Sequence, residues 1–190
     1  MALEESSQEL AVGASPPSFS LPGPDGTEYS LSDFADARGL LIVFTCNHCP
    51  YAQAKFEALN AIAAEYDEIA TIGINPNDAT EYPDDSLERM GELVADGTIA
   101  YDAYLRDEKQ EIARAYGATC TPDPFFFAKR DGEFELVYHG RLDDAMSPDT
   151  IPSGEPGFEI RAVIDDVLAG NSPDTAFRPS RGCSIKWREE

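Results

Sequence analysis

An unbroken apolar run, Leu40-Leu41-Ile42-Val43-Phe44, stops one residue short of Cys46-Asn47-His48-Cys49, and Pro50-Tyr51 follows at once. An apolar run of that length, with no polar alternation, is the pattern of a strand buried on both faces. From Tyr51 to Tyr66, the residues Ala52, Phe56, Leu59, Ala63 and Tyr66 recur at steps of three and four, which places them on one face of a helix. A strand with two buried faces belongs in a sheet covered by helices on both sides. This stretch alone therefore points to an α/β fold in which two cysteines sit where a central strand hands over to a helix.

The remaining chain supplies the other elements. Two short strand-like pieces, Ser15–Leu21 and Thr27–Leu31, flank Pro22-Gly23-Pro24-Asp25-Gly26 and predict a hairpin. Ser32-Asp33-Phe34 opens a short turn before the buried strand. Ile69–Ile74 is a second buried strand, closed by Asn75-Pro76-Asn77-Asp78. A helix is expected from Ser86 to Asp96, with Asp85 and Glu88 as a capping-box-like start and Gly97 past its end. A strand near Ile99–Leu105 leads to a helix over Glu108–Tyr116, with Asp107 and Gln110 at its start and Gly117 after it. Phe125–Ala128 and Phe134–Tyr138 flank Arg130-Asp131-Gly132, a hairpin signal. A last helix is expected from Gly157 to Ala169. Residues 1–12 are polar and expected to fray, and 171–190 form a tail without periodicity. Residues 13–170 make the domain. The element order implies parallel crossovers first and an antiparallel hairpin at the end of one sheet.

C-x-x-C at the first strand-to-helix junction of such a pattern is a redox signal. Cys46 is placed at the start of the helix, where free N–H groups and the helix dipole favour a thiolate. His48, when protonated, adds a positive charge beside it. Cys49, one turn on, is placed to attack a mixed disulfide at Cys46, and Pro50 fits the first turn because its missing N–H has no partner there.

The chain holds 36 acidic and 14 basic residues, a formal net charge of −22, so nucleic acid and anionic lipid surfaces are excluded as partners on electrostatic grounds. Only 4 of the basic residues are Lys, and the acids are spread along the whole chain, a balance we take as adaptation to high salt. The first residues, Met1–Ser6, lack both a basic start and an apolar stretch, and no segment approaches a membrane span, so a cytoplasmic protein is expected. Four cysteines in a reducing compartment suggest redox or metal chemistry rather than a structural framework.

A second constellation, Thr119-Cys120-Thr121-Pro122-Asp123-Pro124, stands directly before the aromatic strand. A proline there is commonly cis. With this loop the chain resembles the thioredoxin superfamily, in which a cis-proline loop packs against C-x-x-C and binds substrate backbone. Pro122 matches that proline and Thr121 the residue before it. Within the superfamily the chain is similar to the peroxiredoxin-like redoxin branch, related to the alkyl hydroperoxide reductase/thiol-specific antioxidant group. The matching pieces are Pro17–Leu21 with Asp25-Gly26, Leu31–Phe34, Phe44–Tyr51, Tyr116–Pro124 and Gly182–Trp187. The resemblance implies a thioredoxin-like fold, with a mixed central sheet covered on both faces and an N-terminal β-hairpin extension. It also implies thiol–disulfide or peroxide chemistry with no cofactor and no metal. A peroxiredoxin carries P-x-x-x-T-x-x-C; with Cys49 in the Cys position, Cys46 replaces the Thr and Ile42 replaces the Pro, so the peroxide pocket is not the usual one. The buried acid that thioredoxins keep below their second cysteine is also absent from Leu40–Phe44.

The leading expectation is a thiol–disulfide oxidoreductase in which Cys46 attacks, Cys49 resolves, His48 tunes the potential, and Thr121 with Pro122 docks protein disulfide substrates. Its partners would be those substrates, or peroxide, and a thioredoxin- or glutathione-type thiol donor. Cys120, two residues before Pro122, is a possible additional redox thiol. Cys183 either folds back onto the site or is inert, and the inert reading is favoured; His139 is expected to be an ordinary strand or loop histidine. The competing expectation is a soft-metal protein or metallochaperone. Phe44–Pro50 is similar to the F-T-x-C-x-x-x-C-P run of Sco-type copper proteins, and Cys46, Cys49 and either Cys120 or His139 would hold Cu(I) or Zn.

Overall fold

The fold is described from a computed structural model covering residues 2–189. Strand β1 (Leu3–Glu5) precedes a hairpin of β2 (Ser20–Pro22) and β3 (Glu28–Ser30), whose turn uses Gly26 at φ 81°. A short 3-10 turn over Leu31–Phe34 leads into β4 (Gly39–Phe44), where Leu40, Leu41, Ile42 and Phe44 have no exposed surface. The chain continues through α1 (Pro50–Gln53), α2 (Phe56–Glu65), β5 (Ile69–Asn75), α3 (Leu87–Ala95), β6 (Ala103–Arg106) and α4 (Glu111–Tyr116). It finishes with β7 (Cys120–Thr121), β8 (Asp123–Arg130), β9 (Glu133–His139), α5 (Phe158–Leu168) and β10 (Arg181–Ser184).

The central sheet has the order β6-β5-β4-β8-β9, with β4, β5 and β6 parallel and β8 and β9 antiparallel. Side chains of β4 divide by the two-residue period. Leu40, Ile42 and Phe44 face a core shared with Phe19, Leu21, Ala113 and Tyr116, under the hairpin and α4. Leu41 and Val43 face Leu59, Ile62, Ile160, Val163 and Ile164, under α2 and α5. Burying each of these aliphatic side chains contributes about 1.5–3 kcal/mol, so the central strand is held rigidly up to Phe44. The β8–β9 turn closes at Asp131 and Gly132, both at positive φ, as a tight hairpin requires.

Three local expectations need correction. The predicted helix Tyr51–Tyr66 is split between α1 and α2 at Ala54-Lys55, where Lys55 turns its amine to Asp143, although Ala52, Phe56 and Leu59 stay on the buried face. The cap of α3 is Ser86, whose Oγ accepts from Arg89 N at 3.2 Å, and Asp85 turns inward instead. The terminal segments are not loose ends. β10 runs antiparallel between β1 and β7, with Leu3 opposite Cys183 and Cys183 opposite Thr121. Residues 3–6 are thereby pinned, with Ser6 N donating to Ser180 O, and Gly13 N donates to Leu136 O; Met1 and Glu190 lie outside the described residues. No helix among the described residues is long and apolar enough to cross a membrane.

Candidate active site

The site lies where β4 ends. Thr45 N donates to Ile74 O and keeps the chain on the sheet for one more residue, and the backbone then turns through Cys46-Asn47-His48. This loop is tied at every position. Asn47 N donates to Asp85 Oδ1 at 2.7 Å, its Nδ2 donates to Asp84 O, its Oδ1 accepts from Tyr104 Oη at 2.6 Å, and its carbonyl accepts from Gln53 Nε2. Cys49, not Cys46, is the N-cap of α1, with Pro50 in the first turn. The expected helix-dipole stabilisation of a Cys46 thiolate is therefore replaced by a different environment. Cys46 has no exposed surface and its Sγ lies 3.2 Å from Thr121 Oγ1. Burial, reinforced by the nearby Asp85 carboxylate, pushes its thiol pKa up to about 12.

Asp85 is the residue the sequence reading misplaced. It is fully buried, and both carboxylate oxygens are engaged. Oδ1 accepts from Asn47 N and from Asn75 Nδ2, while Oδ2 accepts from Asn77 Nδ2 at 2.8 Å and meets His48 Nδ1 at 2.6 Å. The signal was present in Asp84-Asp85-Ser86, because two adjacent cap formers cannot both cap one helix. His48 spends its hydrogen bond on Asp85 rather than on a sulfur, and its ring stacks on Tyr82 at 5.3 Å.

The decisive arrangement concerns Cys183, which was expected to be inert. It forms a disulfide with Cys49, across 134 residues of sequence and a Cα–Cα distance of 6.3 Å, while Cys46 and Cys120 are free thiols. The structure thus joins Cys49 to the tail rather than to Cys46. The tail reaches this place because β10 pairs with β7 beside the Thr121–Pro122 bond, which is cis as expected. Thr121 O lies 3.5 Å from Cys49 Sγ, and Ser180 Oγ donates to Pro122 O at 2.6 Å. The edge expected to bind substrate is occupied by the chain's own C-terminal strand.

Cys120 is fully buried with Sγ near Pro122 O, and burial together with Asp123 pushes its thiol far up. His139 is more than an ordinary strand histidine. Its Nε2 meets Asp123 Oδ1 at 2.8 Å, both residues are almost fully buried, and its ring stacks on Phe125 at 3.9 Å. Asp123 stands opposite Phe44 in the sheet, and its carboxylate also lies 3.3 Å from Thr119 N. Burial raises the Asp123 carboxyl and His139 partly offsets the rise. Neither Cys120 nor His139 joins a soft-metal set with Cys46 and Cys49. Among the described residues the candidate ligand atoms that cluster within 4.8 Å are those of Cys46, His48 and Asp85, and Asp85 is already saturated with hydrogen-bond partners. A cleft of about 720 Å³ opens beside the site, lined by Asn47, His48, Gln53, Phe56 and Arg89 but by none of the cysteines. The disulfide is enclosed, with Cys49 at 0 % and Cys183 at 3 % exposure.

Comparison with known proteins agrees with this architecture. The model of the AhpC/TSA family matches residues 12–134. A hypothetical protein of Sinorhizobium meliloti is 38 % identical in sequence, with a TM-score of 0.88 over 98 % of this chain and 99 % of that one. An uncharacterized conserved protein of Geobacillus kaustophilus, also 38 % identical, has a TM-score of 0.90 over 100 % of this chain and 98 % of that one. The peroxidoxin BcpB of Mycobacterium tuberculosis shares the fold at 18 % identity, with a TM-score of 0.54 over 83 % of this chain and 94 % of that one. No curated protein matches.

Proposed function

The chain belongs to the AhpC/TSA family, and from that premise we propose that it is a thiol–disulfide oxidoreductase whose working couple is Cys49 and Cys183. The observation that carries this reading is the Cys49–Cys183 disulfide at the N-terminus of α1, beside cis-Pro122. In the reduced protein the Cys49 thiolate attacks a target disulfide. One S–S bond forms to Cys49 and the other target sulfur leaves as a thiolate with the electron pair. Cys183, now a thiolate, attacks Cys49 Sγ, the mixed disulfide breaks, and the second target thiol is released. A thioredoxin- or glutathione-type thiol donor then returns two electrons to Cys49–Cys183. In the oxidised protein Thr121 O lies 3.5 Å from Cys49 Sγ, within reach of a thiol proton once the bond is reduced. Cys46 takes no part while it keeps its proton, which a pKa of about 12 ensures at neutral pH.

Peroxide as the electron acceptor is the second reading. It is favoured by Cys49-Pro50 standing where a peroxiredoxin carries its reactive cysteine, and opposed by Ile42 and Cys46 in place of the Pro and Thr of that pattern.

Serine variants at Cys46, Cys49 and Cys183, in an insulin-type disulfide-reduction assay coupled to a thiol donor, test the assignment. Cys49→Ser is expected to fall to background, Cys183→Ser to stop at a trapped mixed disulfide, and Cys46→Ser to keep turnover. Loss of turnover in Cys46→Ser with full turnover in Cys183→Ser would return the couple to Cys46 and Cys49.

A further inference from the structure

β10 lies against β7 more closely than a residue with a side chain permits. A Cβ built on Gly182 would stand 2.0 Å from Thr121 O, 2.5 Å from Thr121 C and 3.1 Å from Pro122 N. All three are backbone atoms of the cis-proline turn and cannot swing aside. Only glycine fits there, and the next residue, Cys183, is the one joined to Cys49. The seat is a slot rather than a simple edge. β10 has β1 on one side, with Glu5 opposite Arg181, and β7 on the other, with Ser184 opposite Cys120. Ile185 N continues the pairing to Thr119 O at 3.0 Å.

Charge distinguishes the occupant from the rest of the protein. Arg178, Arg181, Lys186 and Arg188 bring four of the chain's 14 basic residues to this one segment. On the slot side Glu5 of β1 stands opposite Arg181 in the register, while Arg188, beyond the slot, reaches Asp78 and Glu108 at 3.4 Å each.

We propose that the slot between β1 and β7 is a peptide-docking site selective for an extended basic segment with a Gly-Cys dipeptide. The C-terminal tail is its resident occupant. A protein disulfide partner reaches Cys49 by presenting Gly-Cys in the tail's place after the Cys49–Cys183 bond has been reduced. Its backbone then leaves the slot, still disulfide-linked, so that the returning tail brings Cys183 to Cys49 Sγ for resolution. The glycine carries the geometric selection, because a larger residue holds the backbone away from Thr121 and moves the following sulfur out of line with Cys49. The flanking cations carry the electrostatic selection against a chain of net charge −22. This inference rests on Cys49 being the attacking sulfur.

The test uses the full-length Cys183→Ser protein, reduced, so that the tail cannot re-form its bond. The probe is a synthetic peptide of residues 180–186 whose cysteine is a mixed disulfide with thionitrobenzoate. Cys49 attacks the peptide sulfur, a Cys49–peptide disulfide forms, and thionitrobenzoate leaves with the electron pair, so its absorbance reads the rate. Counterpart peptides carry the Gly182→Val change, or Glu at both basic positions. Each rate is divided by that of the same peptide with free glutathione, and Cys49 labelling is checked by mass mapping. The Gly-Cys peptide is expected to react about tenfold faster than the Val-Cys peptide, the loss expected from one missing docking contact of about 1.4 kcal/mol. The acidic peptide is expected to be slower, with the difference closing at high salt. Equal normalised rates for the Gly and Val peptides, with Cys49 labelled by both, would overturn the slot while leaving Cys49 as the nucleophile. Failure of both peptides and of free dithiobisnitrobenzoate to label Cys49 would overturn the reading beneath it.

Discussion

At the scale of single residues, the site separates the two cysteines of one C-x-x-C by environment. Cys49 caps a helix and bonds to the tail, whereas Cys46 is shut in beside Asp85. The consequence for pH follows from linkage. The ordinary Cys46 pKa of 9.0 applies to the unfolded chain and about 12 to the folded one. Between those values the native state holds more protons, so unfolding becomes easier as pH rises. The stabilisation is complete below pH 9 and is lost as pH climbs through the folded pKa of about 12. Urea titrations of the Cys46→Ser protein between pH 8 and 11 are expected to show a shallower loss of stability than the parent. An identical slope would mean that Cys46 ionises freely. Sequence reasoning named the right cysteine motif but put the helix start at the wrong member, because strand-to-helix handover cannot be located to three residues from apolar pattern alone. It missed Asp85 because a carboxylate next to Ser86 has the local signature of a cap.

At the scale of elements, β10 is the piece whose position depends on a covalent bond as well as on packing. It is four residues long, among the described residues its strand partners are β1 and β7, and its Cys183 carries the crosslink to Cys49 at the start of α1. Hydrogen exchange of the oxidised protein should show slow amides at Ser184 and Ile185, and reduction should release them while β4, β5 and β8 stay protected. In the loop-entropy picture, closing a loop of 134 residues contributes about 5 kcal/mol, so the unfolding midpoint should also fall on reduction. Unchanged exchange of β10 in the reduced state would show that strand pairing alone holds the tail. The long elements were legible in sequence. β4, β5, the β8–β9 hairpin, α3 and α5 all appear close to their predicted positions, because each carries its own periodicity or turn chemistry. β1 and β10 carry neither. They are three and four residues long; β10 becomes a strand on the edge that β7 offers, and β1 on the edge that β10 then offers.

At the scale of the whole molecule, 36 acids against 14 bases leave most carboxylates without a cation within reach. Some of the basic groups are drawn into specific pairs, such as Arg141 with Glu159 at 2.7 Å and Arg38 with Glu68 at 3.1 Å. The remaining self-repulsion is long-ranged at low ionic strength, where the Debye length is about 10 Å at 0.1 M and about 3 Å at 1 M. We expect the thermal midpoint to rise with salt across that range, and the oxidised and reduced proteins to rise together, because the charges are spread over the whole surface. A midpoint independent of salt would remove the high-salt reading of the composition. The same field favours the basic tail in its slot, so reduced protein should also hold the tail less tightly as salt increases.

By itself the sequence determined the sheet and its covering helices, the cis-proline loop, and the presence of a thiol site at the end of the central strand. These are written in local patterns: buried runs, helical spacing, turn residues and one C-x-x-C. Only the tertiary structure decided which sulfurs meet. Cys183 stands 134 residues from Cys49, and no local signal spans that distance. The join depends on Gly182 fitting against Thr121 and on an edge strand left open by the cis-Pro122 turn. Cys46 stays a free thiol, buried beside Asp85 and against Thr121 Oγ1, while Cys49 is joined to the tail.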